Sequence, residues 1–429
     1  MSRGRAQLVV VGNGMAGMRA IEELIARAPD RFDITVIGAE PHPNYNRILL
    51  SAVLAGEKTL DEIVVNPHGW YAEHGIRLIA GVRATAIDRD KRTVALADGT
   101  SLVYDKLLLA TGSKPLVPPI PGLEFPNVRA FRDIADAQAM IAAARGGGRA
   151  VVIGGGLLGL EAAWGLKRRG MSVALVHLMP TLMERQLDVA AGELLRRDLE
   201  SRGIAFFTNS QTEEIVGDGR AEEVLLADGR RIPADFVVLA IGVRPNVDLA
   251  RGINLDVNRG ILVGDDMATS DPHIYAVGEC IEHNGQVFGL LAPIWDQAKV
   301  CGARLAGDTD AVYVPPPVFT SLKITGVDLF SAGRLAAAGV ADEEITLHDE
   351  KRGLYKKVIL REDRVVGSVL YGSVGDGPWY VELMRARADV SLIRDQIVFG
   401  RAFAQRVVPA PPADVPATAV ADAGWWQAA

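Results

Sequence analysis

Two stretches of this sequence place glycines at the same spacing in the same surroundings. The first reads Leu8-Val-Val-Val-Gly12-Asn-Gly14-Met15-Ala16-Gly17, then a helical pattern, then Ile34-Thr-Val-Ile37 with Glu40 just beyond. The second reads Ala150-Val-Val-Ile-Gly154-Gly-Gly156-Leu157-Leu-Gly159, a helical pattern to Arg169, then Ser172-Val-Ala-Leu-Val-His177. A lone GxGxxG is weak evidence, but set between an apolar strand and a helix, and found twice, it is strong. The glycines let the backbone turn tightly and approach a pyrophosphate, and the helix that follows offers unpaired N–H groups to the phosphates. The plainer alternative is a glycine turn that only packs.

The elements that must position these turns are legible around them. Leu107-Leu-Leu-Ala-Thr111-Gly112 reads as an apolar strand ending in a small-residue turn. Val237-Val-Leu-Ala-Ile-Gly242-Val-Arg-Pro245 is its counterpart after the second glycine turn, and Ile274-Tyr-Ala-Val-Gly278-Glu279 is a third strand ending at an acid. Asp98-Gly99 and Asp228-Gly229 are hairpin signals that predict small antiparallel additions. After Pro315-Pro-Pro317 the chain reads as β-rich over 318–376, with strands at Tyr355–Arg361 and Arg364–Tyr371 and a helix at Trp379–Arg387. From Pro409 the proline and alanine content predicts an unstructured tail, in which Trp425-Trp426 stands out.

Composition narrows the classes. At 429 residues the chain fits two or three domains. Its net charge of −7 gives no support to nucleic-acid binding, which favours basic surfaces. No run approaches the roughly 20 apolar residues of a membrane span, and Met1–Gln7 is too short and basic for a signal peptide. The expectation is a cytoplasmic protein with no membrane or nucleic-acid partner. Two cysteines, Cys280 and Cys301, cannot make a disulfide framework, a CxxC pair or a four-cysteine cluster, and the seven histidines show no metal spacing. No metal is expected.

The order of these motifs resembles the two-dinucleotide flavoprotein disulfide-reductase superfamily. More narrowly, Asn44-Tyr-Asn-Arg47-Ile-Leu-Leu, His177-Leu-Met-Pro-Thr-Leu-Met-Glu-Arg-Gln-Leu-Asp188 and Tyr275-Ala-Val-Gly-Glu-Cys-Ile-Glu-His283 resemble the flavin-containing N-terminal half of the assimilatory NAD(P)H nitrite reductase large subunit. Rubredoxin and ferredoxin reductases share the layout. The resemblance covers about residues 7–405. It implies an α/β fold of two Rossmann-like domains, glutathione-reductase-like, binding FAD and NAD(P), plus a small C-terminal α+β domain. The boundaries it implies are 1–113 and 240–314 for the two parts of the FAD domain, 114–239 for the NAD(P) domain, 315–408 for the C-terminal domain and 409–429 for the tail.

The resemblance also implies roles. Gly12, Gly14, Met15, Ala16 and Gly17 would hold the FAD pyrophosphate, and Glu40 would accept from its ribose. Arg47 would contact the FAD, Thr111 and Gly112 would line it, with Gly242 in the matching second crossover, and Gly278 and Glu279 would meet its ribityl or pyrophosphate region. Trp295 would cover the flavin. Gly154, Gly156, Leu157 and Gly159 would bind the nicotinamide dinucleotide, with Glu161 as the catalytic residue beside the nicotinamide. Plainer uses remain: a surface salt bridge for Arg47, a helix cap for Glu279, a first-turn acid for Glu161 and a buried aromatic for Trp295. His177 ends the second strand where NAD-selective proteins usually carry Asp or Glu. No Lys or Arg follows until Arg185. NADH is the expected donor, with NADPH left open.

A flavin performs the chemistry in such proteins while the chain supplies position and electrostatics. Disulfide reductases of this superfamily carry a CxxxxC pair, and flavin peroxidases one cysteine, where this chain reads Ile48-Leu-Leu-Ser51-Ala-Val-Leu-Ala-Gly56. Disulfide and cysteine-based peroxide reduction are therefore not expected. Nitrite reduction itself needs a sirohaem and a four-cysteine cluster, so the expectation is an electron-entry module. Its redox partner would be a nitrate or nitrite reductase subunit or an iron–sulfur carrier. A homodimer stays open. The rival readings are a ferredoxin or rubredoxin reductase and, in a different class, a non-catalytic flavin-binding redox-sensing subunit.

Overall fold

Five near-continuous apolar segments make a parallel sheet in the order Ile274–Ala276, Lys106–Leu109, Ala6–Val11, Phe32–Gly38, Arg77–Ala80. Leu107, Leu108 and Leu109 at its centre are fully buried, as expected of parallel strands covered on both faces. A second parallel sheet runs Val128–Ala130, Phe236–Leu239, Arg149–Ile153, Ser172–Val176, Ile204–Phe207. The computed structural model describes residues 5–315, 319–324 and 327–404. Pro316, Pro317 and the tail with Trp425-Trp426 lie outside the described residues.

The chain divides into two units. The first comprises Met1–Leu50, Lys58–Leu116 and Gly242–Pro316; the second comprises Ser51–Glu57, Val117–Ile241 and Pro317–Ala429. Each holds one of the two parallel sheets. Within the first unit, Ser113–Pro115 and Val243–Pro245 pair as an antiparallel ribbon, at the points where the chain leaves that unit and re-enters it. The Asp-Gly signals form the predicted turns. Gly99 and Gly229, both at φ +87°, connect strands Thr93–Leu96 to Ser101–Val103 and Glu223–Leu226 to Arg231–Pro233.

Within the second unit, the β-rich region forms a five-stranded antiparallel sheet. Its order is Phe319–Ile324, Val327–Gly333, Arg364–Tyr371, Leu354–Arg361, Asp342–Asp349. The helix Gly377–Ala386 follows, and Tyr380 and Val381 bury against Phe330, Val358 and Leu370. One polar cluster fastens this sheet to the helix Val189–Ser201. Asp188 caps that helix by accepting the Ala191 N–H at 3.0 Å. Its other oxygen takes the Tyr355 hydroxyl at 2.5 Å and the Lys357 ammonium at 2.6 Å.

Candidate functional site

Both glycine turns are built alike. The first strand, Ala6–Val11, runs into Gly12 at φ +119°, where a Cβ would lie 2.1 Å from the Ala110 carbonyl oxygen, so there is no room for one. Gly154 repeats this after Arg149–Ile153, at φ +120°, where a Cβ would lie 2.3 Å from the Ala240 carbonyl oxygen. A side chain at either position would meet both a disfavoured backbone and a clash. Gly14 and Gly156 then act as N-caps of Met15–Arg27 and Leu157–Arg168, with no side-chain cap and no acid in either first turn. The first N–H groups of both helices therefore have no side-chain acceptor, and a Cβ on Gly14 or Gly156 would point into open space. Such an end suits an anionic group. These two cradles fit the pyrophosphates of FAD and of a nicotinamide dinucleotide.

The helices close tightly behind the turns. A Cβ on Gly17 would lie 2.9 Å from the Ala110 Cβ, and one on Gly278, at φ +93°, would lie 2.8 Å from the Ala16 Cβ. The Gly278 N–H donates to Gln297 Oε1 at 3.1 Å, and Gln297 is fully buried on the helix Leu291–Ala306. A Cβ on Gly159 would lie 1.9 Å from the Gly154 carbonyl oxygen.

The remaining proposed cofactor residues of the first unit fall into four small groups. Glu40 accepts from the Tyr45 hydroxyl at 2.8 Å and pairs with Arg47 at 2.5 Å, with the Arg47 guanidinium 5.0 Å from the Tyr45 ring centre. Arg47 is thus an ion-pair partner of Glu40 beside the end of the second strand. Thr111 donates its hydroxyl to the Asn246 carbonyl at 2.6 Å, and Gly112 accepts the Asn246 N–H. Gly242 opens the returning strand of the ribbon at φ +116°. Glu279 accepts from the Ser113 hydroxyl at 2.8 Å, a partner 166 residues away that no local pattern points to. Trp295 is half-buried, and the Arg19 guanidinium lies 6.0 Å from its ring centre.

In the second unit, Glu161 lies on the helix Leu157–Arg168, one turn beyond the glycines. Burial pushes its carboxyl up to about 7, while a hydrogen bond from the Ser51 hydroxyl opposes the shift. In the sequence, Ser51 marks only the absence of a cysteine at that place. His177, 8% exposed, follows the strand Ser172–Val176 and packs its ring against Gly155. Cys280 and Cys301 are fully buried in the first unit, and burial pushes both thiols up. Neither suits nucleophilic or disulfide chemistry. Among the described residues there is no cluster that could hold a metal ion, and no helix is long and apolar enough to cross a membrane.

The Glu161 environment predicts a pH effect. The folded chain favours the protonated acid, so stability should fall as pH rises from the ordinary carboxyl range through about 7. Glu161→Gln should melt close to wild type at pH 5. At pH 8 it should be more stable by roughly 2–3 kcal/mol, several degrees in melting temperature. Thermal melts of both proteins at the two pH values check this; a gap that does not widen would leave Glu161 ordinary.

Residues 6–302 match the pyridine nucleotide-disulphide oxidoreductase family, and residues 317–388 match the rubredoxin NAD+ reductase C-terminal domain. The chain is 48% identical over 388 residues to a nitrite reductase [NAD(P)H] of Bacillus subtilis, covering 90% of this chain and 48% of that protein. It is 43% identical over 397 residues to the assimilatory nitrate reductase electron transfer subunit of the same organism, covering 92% and 51%. It therefore spans about half the length of these curated relatives. Among solved structures it superposes on the NADH:rubredoxin oxidoreductase of Clostridium acetobutylicum with a TM-score of 0.76 and 28% identity, covering 92% of this chain and 99% of that one. With two glycine turns on two parallel sheets and a matched C-terminal domain, the chain belongs to the pyridine nucleotide-disulphide oxidoreductase family.

Proposed function

We propose that this chain is an NAD(P)H-dependent flavoprotein reductase that binds FAD at the first glycine turn and NADH at the second, and passes electrons to a separate redox protein. The observation that carries the reading is the pair of uncapped helix ends, each behind a glycine that opens onto free space. When bound, the flavin accepts a hydride and can release its electrons to an acceptor. The chain's own task is to bind and orient. The turns at Gly12–Gly17 and Gly154–Gly159 would hold the two pyrophosphates, the Glu40–Arg47 pair would take the ribose of the FAD, and Glu161 would act beside the nicotinamide. The buried cysteines support a route that leaves through a partner protein and uses no thiol.

For the acceptor, the relatives at 48% and 43% identity favour a component of nitrate or nitrite assimilation. A second reading, rubredoxin or a ferredoxin, is favoured by the C-terminal match and by the rubredoxin oxidoreductase superposition. The visible spectrum of the purified protein, taken before and after anaerobic NADH and NADPH, tests the core of the proposal. Flavin bands that bleach are expected. A preparation that cannot be loaded with FAD would sink it. Turnover with a nitrate or nitrite reductase catalytic subunit, rubredoxin and ferredoxin then separates the acceptors.

A further inference from the structure

The strand Ser172–Val176 of the second sheet ends without the acid that reads a ribose 2′-hydroxyl in NAD-selective turns. His177 occupies the place, and its hydrogen bonds show what it does there. The Gly155 N–H donates to His177 Nδ1 at 3.1 Å, so Nδ1 is an acceptor and the ring proton is on Nε2. Nε2 then donates to Glu184 Oε2 at 3.0 Å. The Glu184 carboxylate is fixed from the chain side as well. The Met183 N–H donates to the Gly155 carbonyl at 3.0 Å, and Met183 is fully buried with a left-handed φ of +52°. Gln186 and Leu187 both donate their N–H groups to the Met183 carbonyl, which closes the loop behind Glu184. A strained, buried residue held by its surroundings marks a conformation that the rest of the structure enforces. Its effect is to carry one carboxylate back to the glycine turn, with 31% of that side chain exposed.

We propose that Glu184, positioned by His177 and by the Met183–Gly155 bond, is the carboxylate that selects the 2′-hydroxyl of NADH over the 2′-phosphate of NADPH. The inference rests on the second turn being the nicotinamide-dinucleotide site. A carboxylate accepts a hydroxyl's hydrogen bond and repels a phosphate, so one residue serves both sides of the choice. His177 supplies the ring that holds it.

The test uses the flavin-loaded protein and measures calorimetric binding of ADP-ribose and of 2′-phospho-ADP-ribose, fragments that leave flavin reduction out of the readout. Wild type should prefer ADP-ribose by about tenfold or more, an effect of the size of one like-charge contact. Glu184→Gln keeps an acceptor and removes the charge. It should tighten 2′-phospho-ADP-ribose about tenfold while ADP-ribose changes less than threefold. Glu184→Ala should weaken ADP-ribose about tenfold. Both variants should retain wild-type flavin content, and a merely structural Glu184 would weaken the two ligands alike. An unchanged preference in Glu184→Gln, with wild type still binding ADP-ribose, would overturn the role of Glu184 and leave the reductase reading standing. Wild type that binds neither fragment would overturn both.

Discussion

Gly14→Val and Gly156→Val should each fold normally, yet the first should purify colourless and the second should stay yellow and resist bleaching by NADH. The reason lies in where each glycine's missing side chain would point. Gly14 and Gly156 sit at φ −90° and −81°, angles any residue adopts, and a Cβ on either meets nothing of the protein within 4 Å. A valine there leaves the packing intact and fills only the space through which a pyrophosphate must approach the helix N–H groups. Losing that approach should weaken the affected cofactor by at least about 100-fold, since several charge-assisted hydrogen bonds go with it. Gly12→Ala makes the contrast, because its Cβ would strike the Ala110 carbonyl and the fold itself should suffer. Flavin absorbance, NADH bleaching and circular dichroism on the three variants separate cofactor glycines from folding glycines. Full flavin content in Gly14→Val would remove the first turn from the site.

The largest stability effect is expected at Asp188. Its carboxylate caps the helix Val189–Ser201 and also receives Tyr355 and Lys357 from the C-terminal sheet. Lys357 and Asp188 are only 10% and 9% exposed in their side chains, so the pair is well shielded from water. Glu344, at 3.1 Å, is the second carboxylate on Lys357 and is partly exposed. The two carboxylates hold the Lys357 ammonium above its usual range, although burial works against them. Taking away one member of a shielded ion pair typically costs about 3–5 kcal/mol, more than the pair itself contributes. Asp188→Ala should lose about that much. Asp188→Asn, which preserves the cap, should recover about 1 kcal/mol of it. Equilibrium denaturation followed by tryptophan fluorescence measures both, and a loss under 1 kcal/mol for Asp188→Ala would mean that Lys357 is satisfied by Glu344 alone.

What could be read from the sequence divides along a physical line. The glycine turns, the apolar strands on either side of them and the hairpins at Asp98-Gly99 and Asp228-Gly229 were legible because local stereochemistry demands those residues, whereas the outer strands Arg77–Ala80, Val128–Ala130 and Ile204–Phe207 were not. Gly12 and Gly154 had to be glycine, and the apolar runs on either side had to be buried strands. The partners of the polar site residues were not legible. Ser51 meets Glu161, and Ser113 meets Glu279, across more than a hundred residues of chain. Glu184 stood in plain view within the His177–Asp188 run, yet seven positions past His177, where an acid is ordinarily sought. Only the left-handed turn at Met183 brings it back, and methionine is not a residue whose type announces such a turn.

The edge strand Ile274–Ala276 has a consequence for how the protein is made. It pairs with Leu107–Leu109, so the first parallel sheet needs residues on both sides of the inserted second sheet. The second sheet is drawn from the continuous stretch Val128–Leu239 and is complete in sequence before the ribosome reaches Ile274. Domains form as their chain emerges, and pairings between distant segments wait for the later partner. The sheet behind the second glycine turn is therefore expected to form first in the nascent chain, while the sheet behind the first stays one strand short. If the first turn holds the flavin as proposed, its loading is expected late in synthesis, and a chain stalled between residues 240 and 273 would be expected to emerge with the second sheet formed and no prosthetic group.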